Sequence, residues 1–78
     1  MYWVYILRSE VRDYHYIGMT SDIAERLQRH NAGREATTRP YRPFRLLYSE
    51  ACSDRNEARK REKYWKGGAG WRKIRNMQ

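Results

Sequence analysis

The chain of 78 residues carries 17 Lys and Arg residues against 9 Asp and Glu residues, which gives a formal net charge of +8. A chain of this length buries only about 60% of its unfolded surface, so we expect one domain over residues 1–78 with a small core. Its 33% of charged residues excludes a membrane span, and its single cysteine excludes an internal disulfide. The positive charge favours a polyanionic partner such as nucleic acid, although it also suits a basic protein that is merely soluble.

We expect a cytoplasmic location. The lone Cys52 fits a reducing compartment, and residues 1–7 are too short and too aromatic for a signal peptide. We expect no small-molecule cofactor, and the oligomeric state stays open.

Two strands joined by a turn are predicted at the start of the chain. Residues 2–7 are continuously apolar with aromatic and β-branched members, which is typical of a strand buried on both faces. Residues 8–13 are polar, and residues 14–19 resume a strand pattern. The pattern therefore predicts a hairpin whose first strand is central in its sheet.

The expected register of this hairpin brings two tyrosines together. A turn near residues 10–11 sets Tyr5 opposite Tyr16 and Trp3 opposite Gly18. The two tyrosines then share one face of the sheet. Gly18 has no side chain, so it would leave that face open at its end.

A helix is expected after the hairpin. Asp22 followed by Glu25 resembles a capping box, and residues 31–33 supply a C-terminal stop. Arg26 and His30 lie four residues apart, so they point the same way beside the apolar seam. The alternative is that both belong to an ordinary solvated helix face.

A basic loop is predicted over residues 32–44. It holds two prolines, several hydroxyls and three arginines. Loops of this length are commonly functional, so its polar side chains could contact phosphates. The alternative is a solvated connector with ordinary surface arginines. The candidate phosphate contacts are Thr37, Thr38, Arg39 and Arg42.

A third strand and two helices complete the predicted elements. Residues 45–51 have a strand pattern. Asp54 with Glu57 repeats the cap signature and begins a second helix that runs to about Lys66. Residues 70–74 indicate a short last helix. The side chains expected to dock it on the body are Trp71 and Ile74.

Glu62 lies where a carboxylate is costly to bury. It shares one side of the second helix with Ala58 and Trp65, and that side must meet the sheet. A carboxylate there needs a cation or a metal, so Glu62 either has a site role or pairs with Arg61 or Lys66. The acidic residues expected to be a strand-end surface charge and a helix cap are Glu50 and Glu57.

Five motifs in this order resemble the GIY-YIG nuclease superfamily. They are Val4-Tyr5-Ile6, Tyr16-Ile17-Gly18, Arg26, His30-Asn31 and Glu62. The resemblance covers nearly the whole chain, and more narrowly it is to small stand-alone bacterial proteins sometimes described as excinuclease-subunit-like domains. Val4 replaces the first glycine of the family pattern, a mild departure because the tyrosine carries the chemistry. The resemblance implies an α/β (α+β) fold with a three-stranded antiparallel sheet flanked by helices.

The same resemblance implies a nuclease that hydrolyses phosphodiester bonds with one divalent metal ion. We expect an endonuclease acting on DNA with low sequence specificity or with a preference for DNA structure, because the sheet face and one basic loop offer few contacts that read bases. Glu62 would bind one Mg²⁺ or Mn²⁺ ion, and Tyr5 would be the general base or would orient the attacking water. Tyr16 would hydrogen-bond at the reacting phosphate, Arg26 would neutralise its charge, and His30 occupies a position that relatives fill with His or Tyr. Other residues expected to contact nucleic acid are Gly18, Thr38, Arg39, Arg42, Lys66 and Asn76.

The proposed chemistry needs these residue types. Phosphoryl oxygens gain charge as water attacks, so a metal and a fixed guanidinium stabilise the transition state more than the ground state. One carboxylate suffices for Mg²⁺, which keeps several waters. A tyrosine with a pKa of about 10 is a poor base without help, which predicts activity that rises with pH.

Two other classes of function stay open at this stage. One is a basic nucleic-acid-binding module, for DNA or RNA, that retains the nuclease fold without turnover. The other is a protein-interaction domain that recognises acidic partners.

Overall fold

Three antiparallel strands form one sheet in the computed structural model, which describes residues 1–77. Strand β1 (Tyr2–Ser9) lies between β2 (His15–Thr20) and β3 (Phe44–Cys52). The three-stranded antiparallel sheet with its helices confirms the predicted α+β architecture. Within residues 1–77, no helix combines the length and the apolar character that crossing a membrane requires. The helices are α1 (Ile23–Asn31), α2 (Arg55–Lys66) and α3 (Gly68–Met77), with a 3₁₀ turn at Arg39–Tyr41.

Strand β1 is central because it is apolar on both faces. Val4 and Ile6 are fully buried on the face that α2 and α3 cover. Tyr5 and Leu7 point to the opposite face, where they pack with side chains of α1. A strand sandwiched in this way belongs in the middle of its sheet, as the unbroken apolar run predicted.

The hairpin register differs from the predicted one by two residues. Tyr5 pairs with Gly18, and Tyr16 lies opposite Leu7. The turn is centred later because the Ser9 N–H donates to the Tyr14 carbonyl at 3.0 Å. A two-residue shift leaves every side chain on its face, so the two tyrosines still face each other, with ring centroids 6.2 Å apart.

Helix α1 begins and ends where its cap residues predict. The Asp22 carboxylate accepts from the Glu25 N–H at 3.1 Å. At the other end Gly33 adopts a φ of 77°, and the Arg34 N–H donates to the Arg29 carbonyl at 3.1 Å. This is the geometry of a glycine-terminated helix.

The predicted basic loop is folded onto the end of α1 and is not an extended connector. The Asn31 side chain accepts from the Phe44 N–H at 2.7 Å and donates to the Phe44 carbonyl at 3.2 Å. Arg39 Nε donates to the Gly33 carbonyl at 2.7 Å, and Thr38 is fully buried. These bonds satisfy backbone groups that a solvated loop would leave to water.

Helix α3 is longer than predicted and docks differently. Ile74 is fully buried as expected, whereas Trp71 is 40% exposed and docks only partly, with its ring centroid 5.8 Å from that of His15. Gly70 makes the close contact with α2, since a Cβ there would lie 2.5 Å from the Trp65 Cα. Gly70 and Ile74 are one turn apart and face α2, which turns Trp71 away from the core.

Glu50 is not the strand-end surface charge that the sequence suggested. Its carboxylate accepts hydrogen bonds from the Arg61 guanidinium, the Trp65 indole N–H at 3.1 Å and the Tyr48 hydroxyl at 2.9 Å. The side chain is 15% exposed. The hydrogen bond from Arg61 is the main reason that the pKa of Glu50 lies below its ordinary value.

Replacing Glu50 with Gln is expected to lower the free energy of unfolding at neutral pH by about 2 kcal/mol, because charge-assisted bonds are lost and Arg61 loses its anion. Because the pKa of Glu50 is lower in the folded protein, its ionised carboxylate stabilises the fold at pH values above the ordinary pKa of 4.5. This contribution disappears as the pH falls through the lower pKa of the folded state. Urea denaturation of both proteins from neutral pH down to about pH 3 should show their difference shrinking in acid. A constant difference across that range would contradict the role of ionised Glu50.

Candidate active site

A charged groove lies at the end of edge strand β2. Its volume is about 440 Å³. Its walls come from the end of β2, from α1 on one side and from α2 on the other. We call it the Glu62 groove, and its lining residues are Tyr2, Met19, Thr20, Ser21, Arg26, Arg55, Arg59, Glu62 and Lys63.

The groove brings together two of the residues predicted from the sequence. The side chain of Glu62 is 22% exposed and that of Arg26 is 41% exposed, so both can reach a bound molecule. The Glu62 carboxylate lies 3.5 Å from the Lys66 ammonium, which is one of the two predicted ion pairs. Arg61 instead pairs with Glu50.

Three cationic residues of the groove were not predicted as site residues. Arg55, Arg59 and Lys63 follow one another at four-residue intervals on α2 and therefore form one row. That spacing was visible in the sequence, but only the docking of α2 beside β2 shows that the row faces Arg26. Among the described residues the groove holds four cations and one carboxylate, which makes its potential positive.

Glu62 would be the protein's main ligand for a metal at this position. Within residues 1–77, no three His, Cys, Asp or Glu side chains come close enough together to enclose an ion. Mg²⁺ often binds through one or two carboxylates and keeps several waters, so a single partly exposed carboxylate fits it. The pair with Lys66 is no obstacle, because the lysine is 56% exposed and such pairs are weak.

Tyr5 is not among the residues that line the groove, and it does not suit the role that the resemblance implied, a general base or a group that orients the attacking water. It is 1% exposed, and its hydroxyl lies 3.2 Å from His30 Nε2. Burial, followed by the neighbouring Tyr16, raises the pKa of Tyr5 far above its ordinary value. A buried phenol with a raised pKa stays neutral and cannot readily take a proton from water.

Tyr16 is the more accessible of the two tyrosines. Burial and then the Glu62 carboxylate raise its pKa, so Tyr16 is a neutral hydrogen-bond donor. Gly18 does not leave the shared face open, because the tyrosines occupy its side-chain space. A Cβ at Gly18 would lie 2.6 Å from the Tyr5 hydroxyl and 2.9 Å from Tyr16 Cε2.

His30 connects Tyr5 to the folded loop. It is 1% exposed, and its Nδ1 lies 2.8 Å from the Thr38 hydroxyl. The Thr38 hydroxyl itself donates to the Glu35 carbonyl at 3.5 Å. The tautomer of His30 decides which partner donates in the contacts with Tyr5 and Thr38. Burial lowers the pKa of His30, which keeps the ring neutral.

The other residues predicted to contact nucleic acid lie outside the Glu62 groove. Thr38 is fully buried against His30, and Gly18 is buried under the tyrosines, so neither reaches a phosphate in this conformation. Arg39 and Arg42 are exposed but flank Gly33 at the far end of α1. The remaining two, both exposed, are Lys66 at the end of α2 and Asn76 near the end of α3.

Comparisons with known proteins relate the sequence to a family of catalytic domains. The family model of the GIY-YIG catalytic domain matches residues 1–73. The chain is 47% identical over 49 residues to the UPF0213 protein DP2720 of Desulfotalea psychrophila, covering 60% of this chain and 44% of that protein. It is 44% identical over 52 residues to the UPF0213 protein SAG0778 of Streptococcus agalactiae, covering 65% of this chain and 59% of that protein. The matched segment thus spans about half the length of these relatives.

A solved structure is also similar along the whole chain. The solution NMR structure of the UPF0213 protein BH0048 from Bacillus halodurans has a TM-score of 0.56 and 29% sequence identity. The match covers 100% of this chain and 86% of that one. The three-stranded sheet with its helices is therefore an architecture that a relative shares.

Proposed function

Because this chain belongs to the GIY-YIG catalytic domain family, whose members are generally nucleases, we propose that it is a divalent-metal-dependent endonuclease acting on DNA. The observation that supports this function is the composition of the Glu62 groove, in which one carboxylate lies among four cationic side chains. Cations alone would serve a surface that only binds phosphates. A carboxylate repels phosphate unless a metal ion lies between them, so its presence favours chemistry over binding alone.

The row formed by Arg55, Arg59 and Lys63 would hold the nucleic-acid backbone. Residues four apart on a helix are about 6 Å apart along its axis, so the row presents charge along an extended path. Contacts to phosphates position a strand without reading its bases. This supports cleavage with low sequence specificity or with a preference for DNA structure.

Arg26 is the guanidinium placed to stabilise the transition state. It lies across the groove from the α2 row, and its nearest acidic partner is the exposed Glu25 at 3.8 Å. Such a weak pair leaves the guanidinium able to donate to phosphoryl oxygens. Because charge grows on these oxygens as the bond to water forms, the interaction strengthens in the transition state.

Glu62 would hold the divalent ion, either Mg²⁺ or Mn²⁺. When bound, such an ion supplies positive charge to the reacting phosphate and makes water more acidic. Tyr16, a neutral phenol, would donate a hydrogen bond to the same phosphate. Tyr5 and His30 act as positioning residues, because their hydrogen bond fixes the ring against which Tyr16 packs.

A binding module without turnover is the second candidate function. The burial of Tyr5 favours it, because neither tyrosine of the site has a pKa lowered toward neutrality. Such a module would use the same cations of the groove. Its binding would fall with salt, since phosphate contacts release counterions, and would persist in EDTA.

The proposed function is tested by incubating the purified protein with Mg²⁺ or Mn²⁺ and with nicked, branched and single-stranded DNA, and with RNA of the same sequences. We expect metal-dependent cleavage of DNA that is lost in EDTA. Salt-dependent binding in EDTA with no cleavage under either metal would replace the enzyme by the binding module. Binding that does not change with salt would contradict both.

A further inference from the structure

A second groove lies at the other end of β2. Its volume is about 480 Å³, and we call it the Trp71 groove. It is lined by the start of β2 and by one face of α3. Its lining residues are Asp13, Tyr14, His15, Trp71 and Arg75.

Trp71 gives this groove an exposed aromatic surface. Within residues 1–77 it is the only aromatic among the large hydrophobic side chains that are clearly exposed, with 40% of its surface accessible. The His15 ring contacts it nearly at right angles, with centroids 5.8 Å apart, which restrains the indole. A restrained and exposed indole is suited to stacking on a nucleobase.

The polar groups of the groove fit the rest of a nucleotide. Arg75 lies one helical turn after Trp71 and so projects on the same side, where it can reach a phosphate. The one acidic group, Asp13, forms a salt bridge of 3.1 Å with Arg8, and its side chain is 90% exposed, so the pair is weak.

The two grooves are aligned along one strand. His15 lines the Trp71 groove and Met19 lines the Glu62 groove, and both side chains point to the face of β2 that α2 and α3 cover. Four residue steps of a strand span about 13 Å. This equals about four steps of 3.4 Å along one strand of DNA. One nucleic-acid strand can therefore occupy both grooves.

We propose that the Trp71 groove binds an unpaired nucleobase, with its phosphate on Arg75, a few nucleotides from the bond positioned in the Glu62 groove. The inference rests on the proposed function, because it takes the Glu62 groove as the place of the scissile phosphate. Bases inside a duplex are stacked and cannot enter such a groove. The favoured substrate is then DNA with unpaired nucleotides next to the scissile bond, such as a duplex with a single-stranded extension.

The test measures binding in EDTA, without cleavage, to three DNAs. They are a blunt duplex, the same duplex with a short single-stranded extension, and that extended duplex with abasic sites in its extension. The wild-type protein should bind the extended duplex on the order of tenfold more tightly than the other two. Trp71→Ala should remove this preference, and Trp71→Phe should retain it. Arg75→Ala should weaken binding to the extended duplex more than Arg72→Ala, a control that removes an exposed cation of α3 outside the groove.

The outcomes separate this inference from the proposed function. If the wild-type protein binds none of the DNAs, the proposed function itself fails. If it binds the extended and abasic duplexes equally, or if Trp71→Ala retains the full preference, only the nucleobase site is refuted. If a free mononucleotide displaces the extended duplex as strongly as unlabelled extended duplex does, the groove is a site for a small ligand, and the proposal is also overturned.

Discussion

Replacing Glu62 with Gln is expected to lower the rate of metal-dependent DNA cleavage by about a thousandfold. The amide has almost the shape of the carboxylate but no charge to hold a divalent ion. The change should cost less than about 0.5 kcal/mol of stability, because the only ion pair lost among residues 1–77 is the partly exposed one with Lys66. Cleavage rates with saturating Mg²⁺ or Mn²⁺, together with urea denaturation, measure both effects.

The matched control for this variant is Glu10→Gln, which removes one negative charge from the exposed turn of the hairpin. It should cleave like the wild-type protein. Binding of Mn²⁺ followed by paramagnetic resonance supplies a readout apart from activity, and Glu62→Gln should lose it. Equal cleavage by the wild-type protein and Glu62→Gln would indicate a contaminating nuclease and would remove the support for an enzyme.

Replacing Arg26 with Ala is expected to lower the cleavage rate by about a hundredfold while weakening DNA binding only a few fold. The reason is that Arg26 would act on charge that develops in the transition state, whereas the α2 row holds the bound strand. Arg26→Lys should recover only part of the rate, since an ammonium cannot donate two parallel hydrogen bonds. Single-turnover cleavage and binding in EDTA separate the two quantities.

The control for Arg26 is Arg29→Ala on the same helix. The Arg29 side chain is 44% exposed, about as much as that of Arg26, but it lies outside the Glu62 groove and donates to Glu35. Its loss should leave the cleavage rate nearly unchanged. If both variants lose the same factor in binding and none in the rate of the chemical step, Arg26 is only one more phosphate contact.

The structure also changes the expected role of Tyr5. The resemblance implied a general base or a group that orients the attacking water, but the ring is buried and its hydroxyl lies 3.2 Å from His30 Nε2. The hydroxyl of Thr38, expected on a phosphate-binding loop, instead lies 2.8 Å from Nδ1 of the same histidine. These contacts join segments that are distant in sequence, so no local pattern could have shown them.

Local patterns in the sequence determined most of the secondary structure. The apolar run of β1, the caps at Asp22 and Asp54, and the stop at Gly33 depend on neighbours within a few residues, so they can be recognised without the fold. The alternation of side chains likewise determined the faces of the hairpin, which a two-residue error in register does not alter.

Only the tertiary structure decided which side chains meet at the end of β2. The Glu62 groove combines α1, β2 and α2, and its positive potential depends on how α2 docks beside the sheet. Burial was equally undetermined, because the exposure of Trp71 and the burial of Tyr5 follow from the packing of whole elements. Access to substrate and the pKa of each phenol depend on that packing, and so the chemical roles of these residues were not encoded in any local pattern.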